Sequence, residues 1–247
     1  LNGYDREFLK ANWNRLEGFS SDQNLGEAIP PMQKSLPDDA QPIPLGKINH
    51  NDFSVHSLDE MIAGRKSVRK FTESKLTLAE LSWLLWATQG VRGMFRDDTI
   101  SMRTVPSGGS RHPFETYLVV NRIEGLEKGL YRYLPIDHSL VLLPDCPDED
   151  TVSEACLGQE FCGNSAVCFI WTAIPYRTEW RYGPVSSKII ALDAGHLCQN
   201  LYLAVGEIGA GTCAIGAYDQ LKADQIVGVD GRDEFVVYIA PVGKVEG

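Results

Sequence analysis

The feature that most narrows the fold is a pair of short strand-like runs, Gly129–Leu134 and Ser139–Leu143, separated only by residues 135–138. Runs joined by so short a turn read as a β-hairpin, and a hairpin makes antiparallel neighbours. Helical segments flank this hairpin in the chain. The prediction is therefore an α+β fold, a mixed or antiparallel central sheet covered by helices; a purely doubly wound parallel fold fits less well. Further strands are expected at 116–121, 212–215 and 235–242. The nearly continuous apolar run 166–173 suggests a central buried strand.

The helices follow from capping and periodicity. A short helix is expected over 58–65. Thr77-Leu-Ala-Glu80 is a capping box, and the helix it opens carries Leu78, Leu81, Leu84 and Leu85 on its apolar face, ending near Gly90. One helix is expected over 151–159. Residues 189–208 form the longest helical stretch, apolar on more than one face and so central, and Gly209-Ala-Gly211 stops it. Asp219 caps another helix. Residues 1–55 are polar and rich in proline, and read as an arm in which a short helix precedes an extended segment wrapping a neighbour. Residues 56–247 form the domain.

A net charge of −10 over 247 residues argues against a general binder of nucleic acid or of acidic membranes. No apolar run is long enough to span a bilayer. Six cysteines are scattered without a C-x-x-C pair, which suits buried free thiols in a reducing, cytoplasmic compartment. The chain begins at Leu1 rather than Met, which leaves room for a leader that has been cut away.

Against this acidic background two segments stand out. Arg65-Lys-Ser67-Val-Arg69-Lys-Phe71 places two arginines and a hydroxyl at alternate positions, so an extended backbone points all three to one side. Arg103-Thr-Val-Pro106-Ser107-Gly108-Gly109-Ser110-Arg-His112-Pro113 is a turn rich in N–H and hydroxyl donors between basic residues. Together they suggest a site for a phosphate attached to something larger. The turn is not a Walker loop, because the required lysine frame is absent. His50, His56, His112 and His196 lack metal-ligand spacing, and there is no G-x-S-x-G elbow. Gly211-Thr-Cys-Ala-Ile215-Gly216-Ala217 is a strand-end turn suited either to packing or to close approach of a ligand. A phosphate site without nucleophile, metal or triad points to a cofactor that carries the chemistry.

Read in order, Arg-x-Ser-x-Arg-x-Phe, Leu81-Ser-Trp-Leu-Leu-Trp-Ala-Thr-Gln-Gly90, the Arg103–Pro113 turn, Gly129-Leu-Tyr-Arg-Tyr133, Asp193-Ala-Gly-His-Leu-Cys-Gln-Asn-Leu201 and Ile215-Gly-Ala-Tyr-Asp219 resemble the flavin-dependent nitroreductase family, in its SagB-type dehydrogenase branch. The resemblance runs from about residue 58 to 243. It implies an intertwined homodimer that holds FMN at the subunit interface, with NAD(P)H and a small-molecule acceptor as partners. By that resemblance Arg65 and Ser67 hold the FMN phosphate and ribityl end, and Arg69 sits by the pyrimidine edge. Pro106, Ser107 and Gly108 reach the flavin from the other subunit, and Gln159 hydrogen-bonds it. Ile215 and Gly216 face flavin N5, and Lys244 is a second phosphate cation.

Azoline-oxidising members of that branch carry Lys-Tyr before a glycine, where this chain has Arg181-Tyr182-Gly183. Arginine is a poor base at neutral pH. Tyr182 therefore stands as a possible proton donor or as an aromatic on a dimer seam. Two other readings remain beside NAD(P)H-driven reduction. One is a flavin-dependent dehydrogenase acting on a peptide azoline or another small ring; the other is a flavin-binding or scaffolding protein without turnover.

Overall fold

The computed structural model describes residues 6–37, 40–48, 53 and 56–246; His50 lies outside them. Its centre is a seven-stranded sheet in the order β1-β6-β5-β4-β7-β9-β8. The strands are β1 (Ile43–Pro44), β4 (Phe114–Val120), β5 (Gly129–Leu134), β6 (Ser139–Leu143), β7 (Val167–Ala173), β8 (Ala210–Thr212) and β9 (Phe235–Lys244). Every pairing in this sheet is antiparallel. The expected hairpin is β5–β6, in register from Leu130 opposite Leu143 to Leu134 opposite Ser139. Strand β7, predicted from its apolar run, is buried throughout between β4 and β9.

Alternation along these strands builds two cores. Leu118, Val120, Tyr131, Tyr133, Phe169 and Trp171 point to one face, against α3 (Leu78–Gln89) and α7 (Ser186–Glu207). Tyr117, Val119, Leu130, Cys168 and Ile170 point to the other, against α4 (Glu149–Ala155) and α8 (Gln220–Val227). The capping box of α3 is made as expected. The Thr77 hydroxyl accepts the Glu80 N–H at 3.1 Å, and Glu80 Oε2 accepts the Thr77 N–H at 2.9 Å. Leu81, Leu84 and Leu85 of this helix are fully buried. Each such leucine stabilises the fold by roughly 1.5–3 kcal/mol relative to exposure.

Three expectations need correction. The helix expected over 151–159 is α4 and stops at Ala155, because Leu157 (φ 57°) and Gly158 (φ 79°) turn left-handed; a separate short helix, α5 (Glu160–Gly163), follows the expected span. The strand expected at 212–215 is β8, two residues earlier. Beyond it the chain leaves the ladder, and Ile215 alone bridges back to Ile239. Residues 91–103, for which no element was expected, form a second hairpin of β2 (Val91–Phe95) and β3 (Ile100–Arg103).

Part of the arm is fastened to its own chain. Besides α1 (Asp22–Leu25) and β1, the Met32 carbonyl accepts from Arg103, the Lys34 N–H donates to Glu115 Oε1, and the Ser35 carbonyl accepts from Arg132. The remaining α-helices among the described residues are α2 (Leu58–Gly64) and α6 (Tyr176–Tyr182).

Candidate cofactor and substrate site

After α2 the chain runs extended past the end of β8. The Val68 N–H donates to the Thr212 carbonyl at 2.8 Å, and Ser67 bridges Thr212 in parallel. Val68 packs so closely that a Cβ on Gly211 would lie 2.7 Å from its own, so this strand end requires glycine. The register brings the Ser67 hydroxyl to 2.9 Å from that of Tyr202 on α7, and the Arg65 guanidinium over the Tyr202 ring at 5.3 Å. Tyr202 in turn accepts the Ala214 N–H at 2.8 Å. Arg65, Ser67 and Arg69 are all exposed, and among the described residues neither arginine has a carboxylate partner.

Arg69 opens on a cleft of about 890 Å3 that it shares with Lys66, Lys70, Gln159 and Asn164. The break between α4 and α5 sets Gln159 here, and its amide donates to the carbonyls of Cys156 and Ala217 at 2.8 and 3.2 Å. Ala217 follows Gly216, which lines a second cleft of about 910 Å3 walled by Ile190, Ala194, Phe235 and Tyr238. Gln159 thus links the two. Ile215 differs from its expected role, because both its N–H and its carbonyl bond Ile239 of β9. Gly216 is the exposed backbone of the pair.

The Pro106–Ser110 turn lies elsewhere, against the start of α7. The Ser107 hydroxyl donates to Asp193 Oδ2 at 2.6 Å, and the Gly108 N–H donates to the same oxygen at 3.0 Å. Burial raises the Asp193 carboxyl above its ordinary range, while these two donors pull it back. Two donors expected to meet a phosphate are therefore committed to an internal carboxylate. Tyr182 packs edge-on to Trp13 at 6.0 Å and under the Arg181 guanidinium. It lines neither cleft.

Lys244 is also engaged within the fold. Its ammonium bonds Glu80 Oε1 at 2.6 Å and the Ile208 carbonyl, tying β9 to α3 and to the end of α7. It is not a free cation. His112, beside the turn, is buried, and that burial, with Arg103 second, pulls it down to about 3, so it is neutral at neutral pH.

Two residues that hold these segments in place, Asp193 and Tyr202, had no role of their own assigned from the sequence. Asp193 had a signal, an acid inside an otherwise apolar helical stretch. Tyr202 had none of its own, since an aromatic among leucines reads as core.

The Nitroreductase family pattern matches residues 62–244, and the chain belongs to that family. A protein of Methanocaldococcus jannaschii named as a nitroreductase is 33% identical over 193 residues, covering 78% of this chain and 93% of its own length. The trifolitoxin-processing protein TfxB of Rhizobium leguminosarum bv. trifolii is 31% identical over 131 residues, 46% of this chain and 34% of TfxB. Among solved structures, a nitroreductase-named protein of Ralstonia eutropha superposes with a TM-score of 0.68 at 24% identity, over 87% of this chain and 94% of its own. The NADPH:FMN oxidoreductase of Vibrio harveyi, complexed with NAD+, has a TM-score of 0.54 at 16% identity, over 76% and 69%. The fold is therefore that of the nitroreductases, and the named relatives mark the chain as an oxidoreductase of that family.

Proposed function

We propose that this chain is an FMN-dependent oxidoreductase that works as a homodimer, taking hydride from NADH or NADPH and delivering it to a small nitro- or quinone-like acceptor in ping-pong turnover. The observation that carries this reading is the exposed Arg65–Ser67–Arg69 edge, whose arginines have no carboxylate partner among the described residues and whose Arg69 lines the Gln159 cleft, inside the family match.

The donor set suits FMN. Arg65 and Ser67 offer a cation and a hydroxyl for a phosphate, and Tyr202 holds both in place. Arg69 supplies positive charge where negative charge accumulates on reduction. Gln159 lines one cleft and Gly216 the other, and the Gln159 amide donates to the carbonyl of Ala217, next to Gly216. Pro106, Ser107 and Gly108 would come from the partner subunit, with Asp193 holding the turn's shape so that Pro106 offers an apolar contact. Lys244 has no part in the proposal. When bound, FMN supplies the hydride-accepting chemistry that no side chain here possesses. Ile190, Phe235 and Tyr238 give the Gly216 cleft an apolar wall with room for a flat partner.

The test is the visible spectrum of the purified protein before and after NAD(P)H is added without oxygen. Flavin bands that bleach support the reading. A colourless protein that takes up no added FMN overturns it. The kinship with TfxB favours a second reading, a dehydrogenase acting on a modified peptide. A flavin that NAD(P)H fails to bleach would select it.

A further inference from the structure

We propose that Glu179 gives the Gly216 cleft a preference for acceptors that carry a positive charge, such as a protonated amine on a flat aromatic body. This rests on the reading of that cleft as the place where the acceptor meets the flavin.

The preference begins with the short helix α6. Its Arg177, Thr178 and Trp180 are buried, which leaves Tyr176 and Glu179 to line the cleft, three residues apart and so on one helical face. Glu179 is exposed, so a molecule in the cleft can reach its carboxylate. The other charged walls are Arg232 and Asp233, which stand 3.9 Å apart with side chains 91% and 87% exposed, and answer each other in open solvent. The remaining polar side chains, those of Tyr176, Ser187 and Tyr238, are neutral hydroxyls. Glu179 therefore sets the sign of the cleft.

Among the described residues no cation pairs with the Glu179 carboxylate. The candidates are engaged elsewhere. Arg177 holds Glu115 at 2.5 Å, Arg181 lies over the Tyr182 ring, and Lys188 donates to the Leu9 carbonyl. Tyr176 gives its hydroxyl to Asp22 Oδ2 at 2.8 Å. Partial burial with nothing to offset it raises the Glu179 carboxyl above its ordinary range. Asp193 is the contrast. It precedes Ala194 of the same cleft, but the Ser107 hydroxyl and the Gly108 N–H already supply its donors. An ammonium group entering the cleft would give Glu179 the partner that the fold does not, while the apolar wall takes the aromatic body.

The experiment is fluorine NMR on the FMN-saturated protein at neutral pH, with three probes of one shape: 4-fluorobenzylammonium, 4-fluorobenzyl alcohol and 4-fluorobenzoate. The ammonium should bind about fivefold tighter than the alcohol, the upper range for a partly solvated ion pair, and the benzoate should bind most weakly. In Glu179→Gln the ammonium and the alcohol should bind alike. In Glu179→Arg the order should reverse in favour of the benzoate, which a merely structural role would not produce. A cooperative thermal melt reports that each variant folds, and if Glu179→Gln does not, the reversal in Glu179→Arg decides. Equal binding of the probes by the unaltered protein, no saturable binding, or a preference that persists in either folded variant overturns the proposal. NAD(P)H is added to a separate sample without oxygen. No FMN uptake, or a flavin that fails to bleach, removes the reductase reading and the proposal with it; a flavin that bleaches without any charge preference removes the role of Glu179 alone.

Discussion

The hydroxyls of Ser67 and Tyr202 lie 2.9 Å apart, which couples the extended basic segment to the C-terminal part of the central helix. The same tyrosine oxygen accepts the Ala214 N–H, two residues before Gly216. One phenol therefore positions both the residue expected at the FMN phosphate and the backbone expected at the reacting edge. Tyr202→Phe should lower stability by about 1–3 kcal/mol, since the Ala214 N–H loses its acceptor. It should also weaken FMN binding, because Ser67 is released. Urea melts and flavin titration measure the two effects, and an unchanged flavin affinity would reduce Tyr202 to a packing role.

Arg65→Ala and Arg69→Ala should each weaken FMN binding about tenfold or more, the worth of a charge-assisted hydrogen bond. Both side chains are exposed and have no carboxylate partner among the described residues, so stability should change little, by no more than the loss of the Arg65 contact with the Tyr202 ring. Flavin content after gel filtration reads this directly. Full occupancy in both variants sinks the assignment.

Lys244→Met separates a structural cation from a phosphate-binding one. The Glu80–Lys244 pair is mostly buried, with side chains 16% and 23% exposed. Removing the ammonium should cost about 1–3 kcal/mol while leaving FMN affinity within about twofold. Weaker flavin binding at full stability would restore the role first expected for Lys244.

Asp193→Ala strips the acceptor from the Ser107 hydroxyl and the Gly108 N–H, at a cost of about 1.5–3 kcal/mol. Asp193→Asn keeps an acceptor oxygen and should recover part of the loss. Equal melts for the two variants would mean that the carboxylate does not hold this turn.

Acid should destabilise the fold through His112. Its folded value is depressed to about 3 from 6.5 by burial and by Arg103. Between those limits the unfolded chain binds a proton that the folded chain refuses. Stability is therefore fully present above about pH 6.5 and falls as pH drops, by at most about 1.4 kcal/mol per pH unit. His138, lowered by burial, acts in the same direction. His112→Asn tolerates the left-handed backbone at this position (φ 45°) and should flatten the acid limb of a urea-stability profile. An unaltered limb refutes the assignment.

The sheet and its two main helices were legible because their signals are local. Thr77 and Glu80 announce a helix start, and the runs at 129–134 and 139–143 announce a hairpin. The 91–103 hairpin passed unnoticed because its turn is built from Arg96, Asp97 and Asp98, all left-handed without glycine. The basic edge was legible as a pattern, but the fate of each donor was not. That Lys244 answers Glu80, or that Ser107 answers Asp193, depends on contacts 164 and 86 residues apart in the chain. No window of sequence contains both partners.

The two ends of the central sheet limit how copies of this chain can associate. At one end β1 is only two residues, and one of them, Pro44, has no N–H to offer. At the other β8 is three residues, with the Ser67–Val68 segment already bonded along its flank. Neither β1 nor β8 is by itself long enough to template another strand. Among the described residues, α7 offers a different kind of surface, where Leu192 stands exposed.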